Sequence, residues 1–345
     1  MPASTPKNIL VIRNDKLGDF MLAWPTFQFI KQSFPEATLY ALVPEYTSPM
    51  AEVCPWIDGI IVDDAVEGIS GLIETISKLK AANIDSVLNL HSTPRIALAL
   101  FLAGIKHRFA PASRIDQVMY NHTLTQRRSR SEKPEYEYNL DLARYVASYY
   151  DVNYSYTLKP PLLQFADNEI QTIKKDFCAS NGIDPGKKLV FVHAGTGGSA
   201  INLSIEQYAE LITRLSKNDK LFFVLTAGPG EEDAARQLSA QTKGCNHVIY
   251  NSRKGIVEFS KTISIACVFI SGSTGTLHIA GALDLQTVAF YPRRKSATSL
   301  RWQTLNSPAR HLAFSATNTT DQGHYSIDLE STCNSILGMY FKHSD

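Results

Sequence analysis

Three kinds of residue in this chain stand where chemistry could be done: a carboxylate, two histidines and a pair of loops rich in glycine and hydroxyl groups. Asp19 comes first. Ile9 to Ile12 form a short apolar run of the kind buried on both faces of a parallel sheet, and a polar turn from Arg13 to Gly18 follows. Phe20, Ala23, Phe27, Ile30 and Phe34 then recur at helical spacing, so Asp19 falls where a strand's carboxyl end gives way to a helix. Ligands bind at that edge of open α/β sheets. Asp is also a favoured helix N-cap, and both roles stay open for Asp19. His91 directly follows the strand Asp85 to Leu90 and reaches the same edge, as a substrate contact or as a structural hydrogen bonder.

The small-residue loops lie further along. Leu189 to His193 reads as a buried strand and runs into Ala194-Gly195-Thr196-Gly197-Gly198-Ser199. Ser204 with Gln207 then makes a capping box that opens a helix over 205–215. Glycines let backbone N–H groups converge on an anion, so Gly195 to Ser199 suits a phosphate cradle, although ordinary turns use the same residues. It is neither GxxxxGK[ST] nor GxGxxG. A second loop, Ser271-Gly272-Ser273-Thr274-Gly275-Thr276, follows the strand Cys267 to Ile270, and His278 lies in the first turns of the next helix. Its hydroxyls and N–H groups suit a phosphate or a sugar. Arg293, Arg294 and Lys295 leave the strand Thr287 to Phe290 at the same edge, where they could balance a leaving diphosphate or make a solvated turn.

The elements that position these residues alternate strand and helix through the whole chain. Strands at 38–43, 59–62 and 85–90 and a helix at 70–82 continue the first unit, and strands at 221–225 and 248–250 with a helix at 256–264 continue the second. Such alternation means parallel sheets with helical crossovers, a Rossmann-like layer. Asn153 to Gln164 holds a Pro pair and no helical period, which marks a linker. Between Arg95 and Lys133 eight cations, including Arg127 and Arg128, face two acids, so this segment could attract a phosphorylated substrate or anionic lipid headgroups. Within it 126–134 reads as an exposed mobile loop. Tyr138, Leu142, Tyr145 and Tyr149 share a helix face and read as core.

Composition narrows the class. A net charge of +1 argues against a general nucleic-acid binder, and five scattered cysteines without CxxC spacing suggest a reducing cytosol rather than a disulfide framework or zinc site. The longest apolar run, Ile96 to Ile105, is too short to span a bilayer, and the polar start lacks a signal peptide's apolar core. The expectation is a cytoplasmic protein able to touch a membrane surface.

The segments ILVIRNDKLGDFMLAWPTF, FPEATLYALV, EYEYNLDL, VFVHAGTGG and VFISGSTGTLHIAGALDLQTVAFY, in this order and spacing, resemble glycosyltransferase family 9, the heptosyltransferases of lipopolysaccharide inner-core assembly. The resemblance implies a GT-B fold, two Rossmann-like domains facing each other across a cleft. Residues 1–155 would take the acceptor and 165–328 the nucleotide-sugar donor, while 329–345 would form a helix crossing back to the first domain. It also implies that Asp19 is the base of an inverting transfer. A carboxylate that removes the acceptor hydroxyl's proton raises its nucleophilicity as the nucleoside diphosphate departs from an oxocarbenium-like centre. Gly195, Thr196, Gly197, Gly198, Ser199, Ser273, Thr274, Gly275, Thr276 and His278 would hold the donor, with Arg293 and Arg294 supplying charge. Arg13, Lys16, His91, Arg95, Arg127 and Arg128 would meet an anionic, lipid-linked saccharide at the inner membrane. No cofactor is implied, nor a metal, since D-x-D is absent.

Two positions depart from the family pattern: Ala200-Ile201-Asn202-Leu203 stands where a Lys or Arg is usual, and Ser273 where an acid is usual. ADP-heptose is the candidate donor. The competing readings are a sugar-nucleotide epimerase of the same layout and a nucleotide-binding protein without catalysis.

Overall fold

The computed structural model describes residues 4–64, 68–112, 115–195, 202–316, 318–319 and 325–341. The chain forms two units, Met1–Leu158 and Lys159–Asp345, which part within the Pro-containing stretch 153–164.

In the first unit the strands are β1 (Asn8–Ile12), β2 (Thr38–Pro44), β3 (Gly59–Asp63), β4 (Ser86–Asn89), β5 (His107–Pro111) and β6 (His122–Leu124). The helices are α1 (Leu17–Met21), α2 (Trp24–Ser33), α3 (Ser48–Glu52), α4 (Gly68–Ala81), α5 (Pro94–Leu102) and α6 (Glu135–Tyr149). All six strands are parallel, in the order β3-β2-β1-β4-β5-β6. β1 pairs with β2 on one side and β4 on the other, which is why Ile9 to Ile12 are wholly buried. Leu10, Ile12, Leu42, Val87, Ile96 and Leu100 form one core layer beneath α4 and α5. On the other side α2 and α6 pack together, and Phe20 meets Trp24 and Phe27 edge to face.

The second unit repeats the plan. Its strands are β7 (Lys188–His193), β8 (Leu221–Ala227), β9 (His247–Asn251), β10 (Val268–Gly272), β11 (Gln286–Tyr291) and β12 (His311–Ser315). Its helices are α7 (Asp167–Ser180), α8 (Ile205–Leu215), α9 (Glu232–Gln241), α10 (Ile256–Ile263), α11 (Gly275–Ala282) and α12 (Leu329–Tyr340). The order β9-β8-β7-β10-β11-β12 mirrors that of the first unit. In each unit chain order reverses beside the first strand, which opens a crevice at the carboxyl ends there, so the loops after β1 and β4, and after β7 and β10, become the natural ligand loops. The expected capping box starts α8: Ser204 Oγ accepts from Gln207 N at 3.3 Å, and Gln207 Oε1 accepts from Ser204 N at 2.9 Å. Such a cap stabilises a helix by about 1 kcal/mol.

Two expectations are corrected, and two strands were not foreseen. The apolar period from Phe20 to Phe34 spans two helices, because the chain breaks at Leu22 and Ala23 between α1 and α2. The stretch 126–134 is tied down rather than loose: Gln126 Nε2 donates to the Tyr138 carbonyl at 2.6 Å, and Arg128 reaches the buried Glu135. β5 and β6 were invisible as strands, since HRFAP and HTL are short and half polar, and sheet pairing alone makes them. The apolar face of α12 packs on the second unit, where Cys333, Ile336 and Tyr340 join the core against α8, and the Tyr340 hydroxyl donates to the Thr287 carbonyl at 3.1 Å.

Candidate functional site

Two edges carry the candidate residues, one in each unit. In the first unit Asp19 lies inside the first turn of α1 and is not its cap: the N-cap is Lys16, whose exposed side chain makes no capping bond. Asp19 is buried and paired with Arg13, which leaves β1 and is itself only 3% exposed. The Arg13 guanidinium is shared. Nε donates to Asp15 Oδ1 at 2.8 Å, Nη1 to Glu135 Oε1 at 3.0 Å and to Asn139 Oδ1 at 3.5 Å, and Nη2 to Asp19 Oδ1. Burial by itself disfavours charge on Arg13, but Asp19, Asp15 and Glu135 more than reverse this and keep it protonated.

Asp19 responds in the opposite sense. Burial raises its pKa, Arg13 lowers it, and the negative charges of Asp15 and Glu135 raise it again, to a net value of about 6 against an ordinary 3.8. Burial is the largest cause, and a guanidinium divided among three carboxylates does not fully offset it. A carboxylate poised near neutrality and lodged at the sheet's ligand edge can take a proton from a hydroxyl and release it again.

The remaining first-unit residues sit around this pair in different ways. His91 is half-buried with Nδ1 at 3.6 Å from Asp15 Oδ2. Arg95 forms a two-pronged pair with Asp63, both contacts at 2.6 Å, and also donates to Thr75 Oγ1 at 3.2 Å. Arg128 donates to Glu135 Oε1 at 2.6 Å. Lys16 and Arg127 are exposed. The Arg13 donors are turned inward onto four side chains, while Arg95 and Arg128 keep partly exposed positions beside their partners. Glu135 and Asn139 are functional candidates that sequence reasoning missed. Their signal was the polar pair inside EYEYNLDL, at spacing four on a helix otherwise read for its tyrosines.

In the second unit Gly195 ends the strand exit, and Thr196, Gly197, Gly198 and Ser199 lie outside the described residues. A Cβ at Gly195 would stand 2.3 Å from the Glu231 carboxylate, so this glycine is where Glu231 approaches the backbone. Glu231 Oε2 accepts from Gly228 N at 3.0 Å and lies 3.5 Å from His193 Nε2, while His193 Nδ1 meets Thr226 Oγ1 at 3.0 Å. Burial lowers the His193 pKa and Glu231 partly opposes it. Glu231 is a candidate that sequence reasoning missed; an acid in the loop closing the second strand of a Rossmann unit was the available signal, since ribose hydroxyls are held there in such folds.

The β10 loop brings Thr274, Gly275 and Thr276 to the start of α11. Thr274 is the N-cap but makes no side-chain capping bond; its hydroxyl lies 3.2 Å from Ser271 Oγ and 2.9 Å from Thr276 Oγ1. The first N–H groups of α11 are thus left for an anion. Ser273 is half-buried beside them, and His278 is buried, pushed down to about 3 by burial and then by His311, hence neutral. Arg293 and Arg294 are exposed on the β11 exit. Ile201, where a cation is usual in the family, lies outside the described residues. Its neighbour Asn202 is internal structure: Oδ1 accepts from Leu203 N at 2.9 Å and from the Tyr208 hydroxyl at 2.8 Å, Nδ2 donates to the Ala194 carbonyl at 3.2 Å, and a Cβ on Gly272 would come within 2.5 Å of Oδ1.

The sequence profile described as glycosyltransferase family 9 (heptosyltransferase) matches residues 73–324. A candidate glycosyltransferase of Haemophilus influenzae is 42% identical over 308 residues, covering 89% of each chain. The lipopolysaccharide heptosyltransferase 2 of Salmonella typhimurium is 23% identical over 301 residues, covering 82% of each. Among solved structures, the ADP-heptose lipopolysaccharide heptosyltransferase II of E. coli superposes with a TM-score of 0.75 at 18% identity, over 96% of this chain and 98% of that one. The chain belongs to glycosyltransferase family 9, the heptosyltransferase family. It is a glycosyltransferase with the paired Rossmann-like units of the GT-B fold, and the epimerase reading falls away. No described helix is long and apolar enough to cross a membrane.

Proposed function

We propose that this protein transfers a sugar, with heptose from ADP-heptose the first to try, to a hydroxyl of an anionic, lipid-linked saccharide of the lipopolysaccharide core, inverting the anomeric centre without a metal. The observation that carries the reading is Asp19: a buried carboxylate at the ligand edge, its pKa raised to about 6 by burial against a shared arginine. As the base it takes the acceptor proton while the nucleoside diphosphate leaves in a single displacement. In the second unit Glu231 accepts from the ribose hydroxyls, and the uncapped start of α11 with Thr274 and Gly275 takes the diphosphate. Arg293 and Arg294 add charge from the next loop, and neutral His278 serves the sugar side of the pocket. His91, Arg95, Arg127, Arg128 and Lys16 face the acceptor's anionic groups, and the enzyme works from the cytoplasmic side of the inner membrane.

The names of the relatives support heptose and ADP as first choices. The test incubates ADP-heptose with lipopolysaccharide lacking its heptoses and follows ADP release and product mass. Transfer by the natural protein and its loss in Asp19→Asn is the expected result; nucleotide binding measured by thermal shift without transfer from any ADP- or UDP-sugar would overturn it.

A further inference from the structure

The buried acid Glu135 carries no role in the reading above, yet it joins the two arginines of the first unit's edge. It is the first residue of α6, 1% exposed, 122 positions from Arg13 in sequence, with its Oε1 accepting from Arg13 Nη1 at 3.0 Å and from Arg128 Nη1 at 2.6 Å. Four charges of alternating sign therefore run in a row: Asp19, Arg13, Glu135, Arg128. Asn139, one turn further along α6, accepts from Arg13 at 3.5 Å and donates to the Leu22 carbonyl at 3.4 Å, which fixes the helix against the segment bearing Asp19. A buried acid held by two cations in this manner is costly to desolvate, so a hydrophobic packing role would be served better by an apolar residue.

We infer that Glu135 is the positioning residue for Asp19: by holding Arg13 from the far side it limits how much of that guanidinium's charge Asp19 receives, and so keeps the base basic. This rests on the reading of Asp19 as the base. The other groups facing Asp19 are Arg13 from β1, Asp15 from the loop before α1, His91 after β4 through Asp15, and Tyr46, whose hydroxyl donates to the Asp15 carbonyl at 2.6 Å. Glu135 links Arg13 to a second arginine, Arg128. The sign follows from charge alone. Neutralising Glu135 removes a negative neighbour and frees Arg13 for Asp19, which makes Asp19 a stronger acid; neutralising Arg128 leaves Glu135 less compensated and makes Asp19 a weaker one.

The experiment compares Glu135→Gln, Arg128→Gln and Asp19→Asn in two measurements: the pH profile of kcat/KM for transfer from ADP-heptose, and the titration of the Asp19 carboxyl carbon by NMR, assigned by its disappearance in Asp19→Asn. Glu135→Gln should move the acid limb and the titration down by about one pH unit and lower turnover at pH 8 about threefold, as expected of a weaker base, with KM changed less than twofold. Arg128→Gln should move both upward. A flat acid limb and an unmoved carbon signal in both variants, with Asp19 essential, would overturn the role of Glu135 alone. Full turnover in Asp19→Asn would instead sink the base reading, whatever Glu135 does. Should Glu135→Gln fail to fold, the upward shift in Arg128→Gln decides the question by itself.

Discussion

Asp19→Asn separates a working base from a structural ion pair, because the two roles predict opposite effects on stability. Burial with two acidic neighbours lifts the Asp19 pKa from 3.8 to about 6. The folded protein thus favours the protonated carboxyl: stability is full below pH 4, declines as pH rises through 6, and above that carries a constant penalty. About two units at roughly 1.36 kcal/mol each set that penalty at no more than about 3 kcal/mol. Asparagine copies the neutral acid's shape without its ionisation, so the variant should be more stable than the natural protein at pH 8, by about 1 to 3 kcal/mol. For a unit of this size that is a rise in melting temperature of roughly 2 to 12 °C, and the gap should shrink to about a third by pH 4.5. Transfer should meanwhile fall at least about a hundredfold. Melting curves at the two pH values and an ADP-release assay give the answer. A variant less stable at pH 8, with the deficit vanishing in acid, would mean that the Arg13 pair outweighs burial and that Asp19 is a structural carboxylate of low pKa.

Three further outcomes follow from other parts of the molecule. Gly195→Ala, whose added methyl collides with the Glu231 carboxylate, should weaken ADP binding about tenfold in calorimetry, since the acid must turn away. Glu231→Ala should weaken ADP by a similar factor of about ten while leaving 2′,3′-dideoxy-ADP unchanged, because only the hydroxyl contacts are lost. Ile336→Ala, fully buried on α12, should cost about 2 to 4 kcal/mol in urea denaturation, and the loss should appear in the transition of the second unit, whose core it joins.

The alternation of apolar runs with helical periods was enough to call two parallel sheets, and the short apolar strands β1, β7 and β10 fixed which loops lie at the ligand edge. Asp19 and the loops at Gly195 and Ser273 to Thr276 were legible as candidates because each lies in the turn or helix start that follows such a strand. Their setting was not. Whether Asp19 capped a helix or met an arginine depended on Arg13 turning inward, and that depended on Glu135 arriving from α6, far along the chain. The same holds for Asn202, a buried hydrogen-bonding post, and for Glu231, which its approach to Gly195, Gly228 and His193 sets apart from its acidic neighbours. Local sequence encodes period, capping and turn chemistry, which act over a few residues. The charge a group carries is set by what is buried beside it, and for Asp19 those neighbours, Arg13 from β1 and Glu135 from α6, come together only when the sheet brings β1 and the start of α6 to one edge.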